Sequence, residues 1–152
     1  MSRKKTDHSL LILHGPNLNK LGQRDTSIYG SNTLEDINDS IQTHSSPRHI
    51  GVDILQSNHE GDIVEKIQAA DSVYHGIIIN PAAYTHTSLA IRDAIDSITI
   101  PVIEVHLSNI HAREEFRHKS LSAPACVGQI SGFGGYGYLI AIDAMINHIK
   151  SN

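Results

Sequence analysis

Two ionisable residues inside an apolar segment, Glu104 and His106, are the first candidates for chemistry in this chain. Residues 101–107 alternate Val, Ile and Leu in the manner of a β-strand, and proline is tolerated at the start of a strand. Positions two apart share one face of a strand, so the carboxylate and the imidazole should lie side by side. Such groups are costly to bury unless they are paired or used. They could form an acid/base pair with the direction of proton transfer open, or a core histidine satisfied by a glutamate.

The segment that follows this strand is polar and cationic. It carries Ser108, Asn109, His111, Arg113 and Arg117. Hydroxyl, amide and cationic groups of this kind suit an anionic ligand. We therefore predict that an anion binds beside the acid/base pair.

A second candidate lies in the first long loop, residues 14–30, which follows an apolar run. Loops of this length are usually lids, binding loops or disordered segments. Arg24 and Tyr29 stand five residues apart in it. A nearby cation favours the ionised form of an acidic side chain, so Tyr29 could serve as a phenolate base. The alternative is that Tyr29 packs as an aromatic plug while Arg24 is solvated.

These residues require a scaffold, and the apolar pattern predicts one. Five short apolar runs alternate with longer helical or loop patterns, which favours a parallel sheet covered by helices on both faces. The runs are 9–14, 50–56, 75–80, 101–107 and 125–130, and the helical patterns are 33–44, 61–70, 87–98 and 135–148. Thr33 and Asp36 resemble a capping box. In the third helix, the residues predicted to face the sheet are Leu89, Ile91, Ala94 and Ile95. We predict an α/β fold of the flavodoxin-like type, a three-layer sandwich whose five-stranded parallel sheet has the order 2-1-3-4-5.

The predicted sheet brings three polar clusters to one place. In this fold the carboxyl ends of strands one, three and four meet at the topological switch point, where ligands bind. Strand one runs into residues 14–17, strand three into 80–86 and strand four into 106–108. The loop after strand two, residues 57–60, is interpreted as ordinary solvated polar residues. The sequence thus predicts one ligand site built from three loops.

Composition bounds the class of protein. The chain has 152 residues, of which 39% are hydrophobic and 18% charged, as in one soluble globular domain without a membrane-spanning run. A net charge of -4 argues against general nucleic-acid binding. Residues 1–7 are predicted to be a disordered tail without the features of a secretory signal, and residues 8–152 a single catalytic domain in the cytoplasm.

Cysteine and histidine usage points away from disulfide and metal chemistry. The single cysteine, Cys126, excludes an internal disulfide and is expected to be a buried, inert thiol. The eleven histidines include no HExxH spacing, and no CxxC spacing occurs. We expect no bound metal.

Three long motifs of the chain resemble those of the type II 3-dehydroquinate dehydratase family. They are GPNLNKLGQR with IYG at 15–30, INPAAYTHTS with IRDA at 79–94, and IEVHLSNIHAREEFR at 103–117. The likeness extends from residue 10 to residue 149. It implies a hydro-lyase that converts 3-dehydroquinate to 3-dehydroshikimate and water through an enolate, in the shikimate or quinate pathway, without cofactor, metal or covalent lysine. His14 departs from the family pattern, because many relatives have Asn at that position.

The resemblance implies a role for each catalytic candidate. Tyr29 matches the base that removes a proton from the carbon beside the substrate's ketone, and Arg24 matches the arginine that keeps that tyrosine ionised. Asn17 matches the residue that stabilises the enolate, through a held water. His106 matches the acid that protonates the departing hydroxyl, and Glu104 the carboxylate that orients and charges it. The likeness thus settles the direction of proton transfer that the residues alone leave open.

The resemblance also implies a set of binding residues. Asn80, His86 and Arg117 match residues that hold the ring hydroxyls of the substrate. Ser108 and the backbone N–H of Leu107 match the grip on its carboxylate. Arg113 matches an arginine of the lid hinge. Asp93 matches a position that reaches a neighbouring subunit's site, and the family assembles as trimers grouped into a dodecamer.

Two other classes of function remain as alternatives from the residues alone. The first is a flavodoxin-like module that binds a flavin or another phosphate at the same switch point without catalysis. The first loop lacks both a GxGxxG motif and a Ser/Thr-rich phosphate cradle, which opposes that alternative. The second is a non-catalytic assembly protein with the same fold, which the retention of Arg24, Tyr29 and His106 opposes.

Overall fold

A parallel five-stranded sheet forms the centre of the molecule. A computed structural model describes residues 6–23, 25–29 and 31–152 of the chain. The strands are β1 (His8–His14), β2 (Ile50–Gln56), β3 (Gly76–Asn80), β4 (Val102–His106) and β5 (Gly128–Ser131). Every neighbouring pair is parallel, and the order is β2-β1-β3-β4-β5, so the predicted sheet and its strand order are confirmed.

Helices cover both faces of the sheet. They are α1 (Thr26–Tyr29), α2 (Leu34–Ser45), α3 (Glu60–Ala70), α4 (Leu89–Ser97) and α5 (Tyr136–Ser151). The capping box of α2 is present, because Thr33 Oγ1 accepts from the Asp36 N–H at 3.1 Å and the Asp36 carboxylate accepts from the Thr33 N–H at 3.0 Å. None of the helices among these described residues is long and apolar enough to cross a membrane.

Alternate residues of β1 face two separate cores. Leu10 and Ile12 pack with α2 and α5, whereas Leu11 and Leu13 pack with α3 and α4. All four are essentially excluded from solvent, as expected for a parallel strand covered on both faces. The result is the predicted three-layer sandwich, which leaves the ends of the strands as the place for polar groups.

Some predicted boundaries differ from the structure. β5 begins at Gly128 rather than 125, because residues Ala123–Ala125 form a 3₁₀ turn around Pro124, which has no N–H to give to a sheet. Leu89 was predicted to face the sheet, but 60% of its surface is exposed. Most of the predicted tail lies outside the described residues; Asp7, near its end, donates its N–H to the His49 carbonyl at 2.8 Å.

The turn after β1 crosses the turn after β3 at very close range. The Gly15 N–H donates to the Asn80 carbonyl at 2.8 Å. A Cβ placed on Gly15 would lie 2.6 Å from the Pro81 carbonyl oxygen, so only glycine fits there. This crossing holds the loops that follow β1 and β3 side by side.

Candidate active site

The carboxyl ends of β1, β3 and β4 bring the predicted polar clusters together. In the sheet register, His14 pairs with Asn80, Ile79 pairs with Glu104, and His106 pairs with Ser131. The segments that follow these ends start side by side, as parallel strands require. The site is therefore assembled from residues far apart in the sequence.

Glu104 and His106 form a buried pair. His106 Nε2 donates to Glu104 Oε2 at 2.9 Å, and the two residues are 5% and 0% exposed. Since Nε2 is engaged, Nδ1 is the ring nitrogen that is available to a ligand. The side-by-side arrangement expected from the strand spacing is present, and the pair can hold a proton at a defined atom.

Three further side chains, which the sequence analysis missed, surround the Glu104 carboxylate. Ser120 Oγ donates to Oε2 at 2.9 Å, Gln129 Nε2 donates to Oε2 at 2.8 Å, and Ser122 Oγ donates to Oε1. Burial by itself raises the pKa of Glu104, but the hydrogen bonds from His106, Ser122 and Gln129, together with the charge of His106, outweigh it and hold that pKa below its ordinary value. Gln129 lies directly opposite Glu104 in the β4–β5 register, which is the one signal that could have revealed it.

Tyr29 lies against a guanidinium group. Arg113 Nη1 donates to the Tyr29 hydroxyl at 2.9 Å, and the guanidinium carbon is 5.1 Å from the centre of the phenol ring. The Nε of Arg113 is buried and has no hydrogen-bond partner in the part of the chain that the structure describes. Arg24, the predicted partner of Tyr29, lies outside the described residues, so that pairing stays a prediction.

Asn17 is held in an unusual backbone conformation by the loop after β2. Its φ is 68°, and its N–H donates to Asn58 Oδ1 at 3.0 Å. Asn58 also accepts from Gln56 Nε2 at 3.1 Å, and its carbonyl accepts from the Tyr84 hydroxyl at 3.0 Å. The interpretation of residues 57–60 as ordinary solvated polar groups is therefore wrong, because this loop supports Asn17 and contacts the loop after β3.

The residues after β3 are fixed by local bonds. Asn80 is 3% exposed, and its Oδ1 accepts from the Ala82 N–H at 3.0 Å, which leaves the amide NH₂ as its donor. His86 Nδ1 donates to the Lys119 carbonyl at 2.8 Å. A carbonyl can only accept, so the proton of a neutral His86 ring is on Nδ1 and Nε2 is the acceptor.

The segment after β4 is anchored to β5 and to the turn beyond it. Ser131 Oγ donates to the Ser108 carbonyl at 3.0 Å, and the Gly134 N–H donates to the Leu107 carbonyl at 2.9 Å. Arg117 Nε donates to Glu114 Oε2 at 2.7 Å. These bonds hold Leu107 and Ser108 beside β5 and the turn after it, whereas Arg117 is bound to Glu114 of its own segment.

Asp93 is not brought to this site within one chain. It lies on the exposed side of α4, whereas Ile91, Ala94 and Ile95 of the same helix are buried. The expectation that Asp93 reaches a neighbouring subunit's site stays a prediction.

His14 belongs to a buried network with Tyr138 and Asn38. The Tyr138 hydroxyl and His14 Nδ1 are 2.8 Å apart, and His14 Nε2 and Asn38 Oδ1 are 2.9 Å apart. Burial lowers the pKa of His14 from 6.5 to about 4, against the opposing effect of the Asn38 hydrogen bond. Burial also raises the pKa of Tyr138, so its hydroxyl remains a donor. A neutral His14 that accepts at Nδ1 and donates from Nε2 satisfies both partners.

The single cysteine and the possible metal ligands are the other candidates for chemistry. Burial and the nearby Glu104 and Asp96 charges raise the pKa of Cys126 to about 12, which fits the expected inert thiol. Within residues 6–23, 25–29 and 31–152, no group of three or more His, Cys, Asp and Glu side chains is arranged to hold a metal.

Comparison with known proteins gives a consistent result. The family model described as dehydroquinase class II matches residues 8–146. A 3-dehydroquinate dehydratase of Ruegeria pomeroyi is 57% identical over 142 residues, which are 93% of this chain and 95% of the relative. One from Acaryochloris marina is 53% identical over 143 residues, or 94% of this chain and 96% of the relative.

Solved structures agree with the sequence comparison. The crystal structure of a type II dehydroquinase from Butyrivibrio crossotus superposes with a TM-score of 0.90 at 49% identity, over 91% of this chain and 97% of that one. A type II dehydroquinase from Propionibacterium acnes gives 0.90 at 36% identity, over 95% and 99%. The present chain is thus similar to these proteins over almost its whole length.

Proposed function

The chain belongs to the class II dehydroquinase family, and on that premise we propose that Tyr29 is the base and His106 the acid of its reaction. The protein is a 3-dehydroquinate dehydratase, a hydro-lyase that converts 3-dehydroquinate to 3-dehydroshikimate and water. Because the family is one of enzymes, its match argues against the alternative of a flavin- or phosphate-binding module without catalysis.

The reaction needs three groups in fixed positions. A base takes a proton from the carbon beside the ketone, and the electron pair moves onto the ketone oxygen to give an enolate. When the enolate collapses, the hydroxyl on the adjacent carbon leaves and takes a proton from an acid, so that water departs. A hydrogen-bond donor aimed at the enolate oxygen lowers the barrier to both steps. Tyr29, His106 and Asn17 fill these roles in the proposal, Asn17 acting through a held water.

The observation that carries the proposal is the buried pair of His106 and Glu104, 2.9 Å apart at the end of β4. An ionised Glu104 that accepts from Nε2 fixes the orientation of the ring and stabilises the imidazolium. The second proton, on Nδ1, then faces the departing hydroxyl. After its transfer the ring is neutral with Nε2–H still bound to Glu104, so the ring needs no rotation between turnovers. Glu104 acts through His106 rather than on the substrate.

The base is supported by its guanidinium neighbour. A phenol becomes a useful base at neutral pH only if its ionised form is favoured, and a guanidinium that donates to its oxygen has that effect. Arg113 is in that position, 2.9 Å from the Tyr29 hydroxyl. We propose that Arg24 contributes in the same way and that both arginines stabilise the lid in its closed form.

The proposed substrate contacts follow the arrangement of the loops. We propose that Asn80, His86 and Arg117 bind the ring hydroxyls, while the Leu107 N–H and Ser108 bind the carboxylate. The amide NH₂ of Asn80 and the acceptor Nε2 of His86 suit hydroxyl groups, which both accept and donate.

We propose that the chain assembles as trimers grouped into a dodecamer and works in the cytoplasm. Leu89 and Asp93 stand four residues apart on α4, on one exposed side, and Leu89 is 60% exposed. A large apolar side chain beside a carboxylate fits a face that meets another subunit. Twelve chains of 16.6 kDa amount to about 200 kDa. Light scattering should give that mass, and a monomer mass would refute the assembly.

The catalytic roles are tested by kinetics with two variants. Product formation is followed by the ultraviolet absorbance of the conjugated enone. Tyr29→Phe should remove nearly all turnover yet still bind 3-dehydroquinate in calorimetry, because it deletes the base and little shape. His106→Ala should lower kcat by about 10²- to 10⁴-fold, the usual contribution of a general acid. Tyr136→Phe, an exposed tyrosine, is the matched control and should keep wild-type turnover.

Two outcomes would contradict these roles. A Tyr29→Phe variant with most of its wild-type kcat would show that the base lies elsewhere. Borohydride treatment in the presence of substrate should leave no covalent adduct, whereas an adduct would indicate a lysine imine.

A further inference from the structure

We infer that Ser120, Ser122 and Gln129 are positioning residues that keep the shared proton on His106 instead of Glu104. The inference rests on the proposed role of His106 as the acid. It concerns residues that lie outside the three sequence motifs.

Four hydrogen-bond donors surround the Glu104 carboxylate. Oε2 accepts from His106, Ser120 and Gln129 at 2.9, 2.9 and 2.8 Å, and Oε1 accepts from Ser122. Three of these four donors are neutral groups that do not titrate. Glu104 and Ser122 are both 0% exposed, so water does not replace the Ser122 hydroxyl when it is removed.

A buried carboxylate and imidazole can share their proton in two ways. The first is an ion pair of carboxylate and imidazolium, and the second is a neutral pair of carboxylic acid and imidazole. Removal from water penalises the ion pair, so a pair without other partners tends toward the neutral form. Each neutral donor on the carboxylate oxygens favours the ion pair instead, because hydrogen bonds to a charged group are stronger than those to a neutral one.

The choice between the two forms decides the strength of the acid. An imidazolium gives up its Nδ1 proton readily, whereas a neutral imidazole is a very weak acid. The lowered pKa of Glu104 agrees with the ion pair. The neighbouring Cys126 remains a neutral thiol and adds no charge that would compete with Glu104.

The two serines lie on a segment, residues 119–122, that is tied to the substrate loop after β3. The Leu121 N–H donates to the Thr85 carbonyl at 2.8 Å, and His86 donates to the Lys119 carbonyl at 2.8 Å. Ser120 Oγ in turn accepts from the Ala123 N–H at 2.9 Å, which orients its own proton toward Glu104. The donors are therefore fixed before substrate binds, as electrostatic preorganisation requires.

Removal of single donors tests the inference. Ser120→Ala, Ser122→Ala and Gln129→Met should each lower kcat about 10-fold, with KM within about twofold of wild type, because the acid is weakened and binding is not. The solvent deuterium isotope effect on kcat should rise, since proton transfer from His106 becomes slower. Ser120→Thr, which keeps the hydroxyl, should restore kcat. Ser45→Ala removes an equally buried serine hydroxyl far from the site and should change neither quantity.

The outcomes separate this inference from the assignment of the acid. The inference would be overturned if all three donor variants kept wild-type kcat and an unchanged isotope effect while His106→Ala was inactive. His106 would remain the acid in that case. Turnover by His106→Ala would overturn the acid assignment itself. If Ser122→Ala fails to fold, the less buried Ser120 and Gln129 variants decide, by the same two measurements.

Discussion

Acid should destabilise this protein through His14 before its surface carboxylates protonate. His14 is 1% exposed, and burial lowers its pKa from 6.5 to about 4, so the folded chain keeps the ring neutral where the unfolded chain protonates it. A depressed pKa in the folded state means that the unfolded chain binds the proton first. The contribution of neutral His14 to stability is therefore complete above about pH 6.5 and is lost as the pH falls toward 4.

The magnitude follows from the two pKa values. One pKa unit corresponds to about 1.4 kcal/mol, so the whole window from 6.5 to about 4 is worth roughly 3 kcal/mol. Between pH 7 and pH 4.5, where most of the difference is reached, we expect a loss of about 2.5 kcal/mol from this group. That is a large part of the free energy of unfolding of a typical domain, which is roughly 5–15 kcal/mol.

The assay compares wild type with His14→Asn, which retains hydrogen-bonding groups but does not titrate. Urea unfolding at a fixed subunit concentration gives the free energy of unfolding at each pH. Glu104 and Asp71, whose pKa values are lowered, also cost stability in acid, but they do so equally in both proteins. The variant should start less stable at pH 7 and lose about 2.5 kcal/mol less than wild type by pH 4.5.

The result that would refute this reasoning is an equal loss in both proteins. It would mean that His14 takes up its proton in the folded state near its ordinary pKa, with its two partners rearranged around it. His59→Asn, in an exposed position of the loop after β2, is the control and should lose as much stability between pH 7 and pH 4.5 as wild type.

Three further changes address the site directly. Glu104→Gln keeps the shape of the side chain but removes its charge. In the enone assay kcat should therefore fall about 100-fold or more with a nearly unchanged KM, and a wild-type kcat would contradict the proposed role of the carboxylate. Arg113→Lys cannot both donate to the Tyr29 hydroxyl and lie over its ring, so kcat should fall about 10-fold, and an unchanged rate would make Arg113 dispensable. Asn58→Ala removes the acceptor of the Asn17 N–H and should lower kcat/KM about 10-fold, whereas His59→Ala in the same loop should not.

The sequence was most informative where a local pattern maps onto one element. The capping box at Thr33 predicted the start of α2, and the alternating apolar runs predicted the sheet and its layers. The spacing of Glu104 and His106 was enough to place them side by side, because a strand repeats every two residues. Such features depend only on neighbours in the chain.

The features that the sequence did not reveal depend on contacts between distant segments. Ser120 and Ser122 are 16 and 18 residues from Glu104, in a segment without regular structure. Asn58 meets Asn17 across 41 residues, and its loop has no composition that marks it as functional. The late start of β5 has a local cause in Pro124, but an apolar run of that length does not show where pairing begins.

The crossing of Gly15 with the turn after β3 restricts how the two loops can change over evolutionary time. No single substitution at Gly15 is free of a collision with the carbonyl groups of Asn80 and Pro81, which lie within 3 Å of the place where a Cβ would go. Any replacement there therefore requires a second change that moves the other turn. The loop that carries Tyr29 and the loop that carries His86 must therefore change together, and hybrids that take them from two different relatives should lose activity even when each loop is functional in its own background.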